Sequence, residues 1–135
     1  ITLEKIINNP EKNKFTKQST DINFDNQYQA PKITSKDFKI DLNNSCYHIH
    51  NRIRALNYKG AYIKFKKLRI KLFDTYYDLN NNKLEQGCFK LDNNNNLLIG
   101  TAKGILIVKK LQFESKNIMD SKVFYNYYKF KGKFE

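Results

Sequence analysis

Apolar and polar positions alternate most regularly from Tyr62 to Lys71, where Ile63, Phe65, Leu68 and Ile70 are interleaved with Lys64, Arg69 and Lys71. With Lys66 and Lys67 as a two-residue turn, Phe65 lies opposite Leu68, Lys64 opposite Arg69, Ile63 opposite Ile70 and Tyr62 opposite Lys71. One face of this hairpin is then apolar and the other basic with one aromatic. A slip of one residue would turn Arg69 inward and Leu68 outward, so the two-residue period fixes the register. Lys-Lys is ill suited to the positive φ of a tight turn, which leaves a looser turn as the alternative.

A helical stripe precedes the hairpin: Cys46, Ile49, Ile53 and Leu56 share one face of a helix over residues 44–57, with Asn43, Asn44 or Ser45 as its N-cap. Tyr58-Lys59-Gly60 ends it, with Asn57 or Gly60 suited to the left-handed cap conformation. Before the helix, Phe38 and Ile40 alternate with charged neighbours as in a short strand or irregular extended segment. After the hairpin, Thr75 to Leu79 extends its second strand and Asn80 to Asn82 turn the chain. Cys88 to Leu91 and Leu97 to Thr101 read as strands joined by the asparagine run 93–96. Gly100 to Gly104, GTAKG, lacks the spacing of a phosphate cradle and predicts a hairpin or bulge. Ile105 to Phe113 predicts one central strand, buried on both faces as far as Val108 and alternating afterwards at Leu111 and Phe113. Asp120 is placed to cap a last helix bearing Val123, Phe124, Tyr127 and Tyr128.

The N-terminal part differs. Thr2 to Asn8 fits one or two helical turns with Leu3, Ile6 and Ile7 on one side and a stop at Pro10. Residues 10–29 are polar with isolated aromatics at Phe15, Phe24 and Tyr28, as in an extended linker. A compact domain over 30–135 follows. The pattern predicts a mainly β fold with flanking helices, a small partly open β-barrel of the OB type, with an α+β sandwich as the alternative.

Charge adds a direction. The net charge is +12, and no acidic residue lies between Asp41 and Asp74, an interval that holds Arg52, Arg54, Lys59, Lys64, Lys66, Lys67, Arg69 and Lys71. A field of one sign over that length predicts a polyanionic partner. Arg52, Lys59, Lys64, Lys66, Lys67, Arg69 and Lys71 are the candidate contacts; solvation of a sheet face is the alternative use of such lysines. No run approaches 18 apolar residues and no signal-like segment opens the sequence, so a cytoplasmic protein is expected. Cys46 and Cys88 are distant in sequence, and His48 and His50 sit together on the helix, a pattern that predicts neither a disulfide nor a metal site. Asp37, Asp41, Asp74, Asp78 and Glu85 have no spacing that calls for a carboxylate pair.

In order along the chain, APKI, KIDL, HNRIRALN, GAY, RIKLF, the strand after Gly87, GTAKGILIVKKLQ and a closing K-x-x-M-x-x-x-x-F resemble the C-terminal domain of methionyl-tRNA formyltransferases from about Phe24 to Phe134. The resemblance implies an OB-like domain that helps hold initiator methionyl-tRNA, and a monomer is expected. In that family an N-terminal formyltransferase domain of the same chain moves a formyl group from 10-formyltetrahydrofolate to the methionyl amine. The family's catalytic Asn, His and Asp lie in that other domain, and nothing in this sequence corresponds to them. The expectation is therefore a fragment without catalytic, cofactor-binding or metal residues, with 1–9 as the tail of the catalytic domain. Thr16-Lys17-Gln18 stands where the family often has Pro-Gln, Asn57-Tyr58-Lys59 replaces its Pro-rich corner, and Glu114-Ser115-Lys116 replaces x-Gly-Lys. Two alternatives stay open: the C-terminal module of a nucleotide-sugar N-formyltransferase, and a stand-alone OB module that binds RNA.

Overall fold

The computed structural model describes residues 30–128 and 133–135. The chain divides into two units, Ile1–Lys32 and Ile33–Glu135, and the fold that follows is that of the second. The short helix and the linker expected over 2–8 and 10–29, with the tail assigned to 1–9, lie outside the described residues.

A 3-10 helix, Ser35–Phe38, leads into α1, Cys46–Ala55. The strands are β1 Ala61–Phe65, β2 Leu68–Leu72, β3 Thr75–Asp78, β4 Phe89–Leu91, β5 Leu97–Gly100, β6 Ile105–Val108, β7 Lys110–Phe113 and β8 Ile118–Asp120, followed by α2, Ser121–Tyr128. They form two four-stranded sheets, ordered β1-β2-β7-β8 and β3-β6-β5-β4, and among the described residues these do not close into a barrel. The fold is mainly β with flanking helices.

Phe38 and Ile40 are both buried; Phe38 closes a 3-10 turn, and the irregular extended segment expected there begins only at Lys39. Thr34 causes the turn: its N–H and its hydroxyl donate to the Asp37 carboxylate at 2.6 and 2.9 Å and wind the chain at that point. Ile40 then donates its N–H to the Tyr62 carbonyl at 2.8 Å, beside the parallel bridge of Lys39 with Tyr62. Ser45 caps α1, accepting from the His48 N–H at 3.4 Å, and the stripe Cys46, Ile49, Ile53 and Leu56 is buried. Gly60 ends the turn at φ 78, where its N–H reaches the Leu56 carbonyl at 3.0 Å. A side chain there would be strained.

The hairpin has the register that its alternation predicts, Phe65↔Leu68 through Ala61↔Leu72. Its turn is the tight one, with Lys66 at φ 55. Beyond it the expected single strands bend. β2 pairs with β7 from Ile70↔Phe113 to Leu72↔Leu111, and β3 pairs with β6 from Thr75↔Val108 to Asp78↔Ile105, without any change of register. Phe73 N–H to the Lys110 carbonyl and Lys109 N–H to the Asp74 carbonyl, each 2.9 Å, carry the ladder through the corner. Two consecutive residues on each strand, Phe73-Asp74 and Lys109-Lys110, escape full burial, so the buried face switches there. Strands that bend from one sheet into another are how two sheets share one core at a corner.

The core runs through both sheets and includes Ile40, Ile63, Ile70, Leu72, Leu97, Ile99, Leu106 and Leu111, each 0 % exposed. Phe124 of α2 joins it at 0 %, while Val123, expected on the same stripe, is 54 % exposed. The side chains of Tyr127 and Tyr128 lie outside the described residues. β8 is a strand that the sequence pattern did not predict. The last residues tie the sheets together: Glu135 exchanges backbone hydrogen bonds with Lys64 at 2.9 and 3.4 Å, while Phe134 donates to the Gly87 carbonyl at 2.8 Å. The Phe134 ring packs against Phe89 and Phe65, with centroids 4.8 and 5.5 Å away.

Candidate nucleic-acid interface

The outward face of the first sheet is built by the alternation that buries its other face. Lys64 lies opposite Arg69 and Tyr62 opposite Lys71 across β1 and β2, and Lys71 in turn lies opposite Gln112 of β7. Like charges facing each other are mildly destabilising, a cost that an anion bound between them would offset. The Arg69 guanidinium stands 5.1 Å from the Tyr62 ring centroid, within reach of a cation–π contact. Tyr62, Arg69, Lys71, Gln112 and Glu114 line a shallow groove of about 300 Å³ on this face.

The other sequence candidates sit around it. Lys66 and Lys67 form the exposed turn at one end, and the Lys66 ammonium lies 5.7 Å from the Phe65 ring centroid. Lys59 rests near the rings of Phe38 and Tyr58 at 6.0 and 5.8 Å, next to Gly60, whose Cα is bordered by the Lys71 side chain. Arg52 is different. Its Nε and Nη2 donate to the Asp37 carbonyl at 2.9 and 2.6 Å, so it anchors the 3-10 helix to α1. The Thr34 hydrogen bonds, and after them the Arg52 charge, hold the Asp37 carboxyl below its ordinary pKa.

Two cations escape a reading of the sequence by clusters. Lys39 joins the face through its bridge to Tyr62, and Lys110 alternates onto it two residues before Gln112. The pairing of Lys110 with Asp120 and the nearby Glu114 add the carboxylates of this surface. Among the described residues Lys39, Lys64, Arg69, Lys71 and Lys110 form no ion pair. A face of fixed, unpaired cations with few acids can neutralise backbone phosphates without reading bases. No group of three His, Cys, Asp or Glu placed to hold a metal occurs among the described residues, and Cys46 and Cys88 are free thiols.

Known proteins resemble this chain in both sequence and fold. A methionyl-tRNA formyltransferase of Sulfurihydrogenibium sp. (strain YO3AOP1) is 31% identical over 113 residues, 82% of this chain and 36% of that protein. The methionyl-tRNA formyltransferase of Rickettsia prowazekii (strain Madrid E) is 36% identical over 96 residues, 70% of this chain and 31% of that protein. The chain thus spans about a third of the length of the curated relatives it matches. A crystal structure of HypX from Aquifex aeolicus superposes with a TM-score of 0.61 at 16% identity, over 73% of this chain and 18% of that one, a likeness of fold. The family described as "Formyl transferase, C-terminal domain" matches residues 32–129, and the chain belongs to that family.

Proposed function

We propose that this chain is the tRNA-binding C-terminal domain of a methionyl-tRNA formyltransferase. Initiator methionyl-tRNA lies with its phosphates along Lys64, Arg69 and Lys71, extended by Lys39, Lys110, Lys59 and the turn lysines Lys66 and Lys67. Residues 1–9 are the tail of an N-terminal domain that carries out formyl transfer from 10-formyltetrahydrofolate, and 10–29 link it to the basic domain. The protein works as a cytoplasmic monomer, and among the described residues no helix is long and apolar enough to cross a membrane. The observation that carries this reading is the facing pair Lys64 and Arg69 on a sheet face where neither is neutralised.

Chemistry and binding are divided between the two parts in this reading. The 135-residue chain incubated with 10-formyltetrahydrofolate and methionyl-tRNA gives no turnover above a protein-free control. In a longer protein carrying the formyltransferase domain, replacing Lys64, Arg69 and Lys71 by alanine raises KM for methionyl-tRNA and leaves kcat nearly unchanged, because uniform binding is lost. An unchanged KM would overturn the proposal. So would formylation of a nucleotide-linked amino sugar in place of methionyl-tRNA.

A further inference from the structure

A second surface lies where α1 crosses the corner between β2 and β3. His50, Arg54 and Asn57 recur there at i, i+4 and i+7 along the helix and its end, and Phe73, Asp74 and Tyr76 face them across a cleft of about 480 Å³. His50 Nδ1 is 3.0 Å from the Thr75 hydroxyl, which fixes the ring and leaves Nε2 toward its surroundings. Among the described residues the Arg54 guanidinium, the Asn57 amide and the Asp74 carboxylate make no side-chain hydrogen bond. Tyr76 is 50% exposed, with the Lys109 ammonium 4.3 Å from its ring centroid.

Aromatic rings continue out of the cleft in contact with one another. Tyr77 lies 5.2 Å from His50 and 5.3 Å from Tyr47, and Tyr47 lies 5.5 Å from His48. Tyr47 and Tyr77 are 42% and 40% exposed. Gly60 joins this surface to the basic face: a Cβ on it would stand 2.7 Å from Phe73 of the cleft and 3.1 Å from Lys71 of the strip.

We propose that the cleft between α1 and β3 holds an unpaired nucleotide of the bound RNA. Its base stacks on Tyr76, Arg54 and Lys109 meet the flanking phosphates, and Asn57 and Asp74 contact the base edge or the ribose hydroxyls. A duplex hides its base faces within its own stack and has no use for exposed rings, whereas single strands are held by cations interleaved with aromatic platforms. A bare phosphate has no use for Asp74. A nucleotide, which presents amino and hydroxyl donors as well as phosphate, uses both signs.

This inference rests on the RNA-binding reading, and the experiment separates the two. The 135-residue chain is titrated with a labelled eight-nucleotide oligoadenylate and with a blunt RNA duplex of the same length. Tyr76→Ala is expected to weaken oligoadenylate binding about 5- to 150-fold, with the duplex affinity and the salt dependence unchanged. Tyr76→Phe keeps the ring and restores binding, and circular dichroism confirms the fold of each variant. Replacing Lys64, Arg69 and Lys71 weakens both probes. If Tyr76→Ala affects neither probe, or both equally, the cleft holds no base and this inference falls alone. If wild-type protein binds neither probe, the RNA reading falls with it.

Discussion

Ile53 and its two arginine neighbours show how closely spaced residues of one helix carry different burdens. Ile53 is 2% exposed in the stripe that seats α1 on the sheets, so Ile53→Ala is expected to cost about 2 to 5 kcal/mol. Arg52→Ala loses the hydrogen bonds to the Asp37 carbonyl, about 1 kcal/mol, although charge pattern alone assigns it no structural role. Arg54→Ala stays within about 0.5 kcal/mol, since its head is unpaired. Denaturant midpoints of the three variants check this order, and equal losses would mean that the helix is rotated. His50 adds a pH dependence. Burial, and after it the Arg54 charge, holds His50 below its ordinary pKa. The unfolded chain takes up a proton near pH 6.5, the folded chain only at lower pH. The His50 contribution is therefore fully present above about pH 6.5 and is lost as pH falls from there toward the folded value. Asp37 and Glu85, whose pKa values are lowered, titrate beneath that window. Midpoints measured between about pH 7.5 and 5.5 should fall more steeply for wild type than for His50→Gln, and parallel curves would contradict it.

At the scale of elements, the β1–β2 hairpin owes its register to alternation and accepts a strained turn to keep it. Lys66 sits at φ 55, a conformation that costs a non-glycine residue about 1 to 3 kcal/mol. Lys66→Gly is expected to raise stability by about 1 kcal/mol and Lys67→Gly to lower it or leave it unchanged, read from denaturant midpoints; a destabilised Lys66→Gly would contradict the turn geometry. The hairpin and α1 were legible in the sequence because each buries one face, and a shift of one residue would place a charge in the core. Leu68, expected on the buried face, is the exception at 41% exposed, because it sits beside the exposed turn. Gly100 to Gly104 was legible as a hairpin, which pairs Gly100 with Ile105 between β5 and β6. The bend of Ile105 to Phe113 into β6 and β7 was not, because one register runs through the corner and only two consecutive lysines mark it. That doublet, Lys109-Lys110, was the available signal. The 3-10 helix escaped detection because two hydrogen bonds from Thr34 to Asp37 decide it, not periodicity. β8 has three residues, with no buried one among them, so it leaves no alternating pattern.

Within the described domain, two sheets joined by bent strands carry a basic face and an aromatic cleft. The basic cluster was visible in the sequence because the cations are close along the chain. Lys39 and Lys110 were not, since they arrive from distant segments through strand pairing, and the cleft depends on a helix and a corner meeting in space. Under the proposed function, this domain would supply affinity and position through phosphates, while discrimination of the tRNA would rest mainly with a formyltransferase domain. The central claim is tested most directly by a salt titration of tRNA binding with wild type and with the folded triple variant Lys64→Ala, Arg69→Ala, Lys71→Ala. Each phosphate contact contributes about 0.7 to 0.9 to the slope of log affinity against log salt, so the variant should bind more weakly with a slope lower by about two to three. The loss should be equal for initiator and elongator tRNA, because phosphate contacts carry no sequence information. An unchanged slope would contradict the account and place the RNA on another surface.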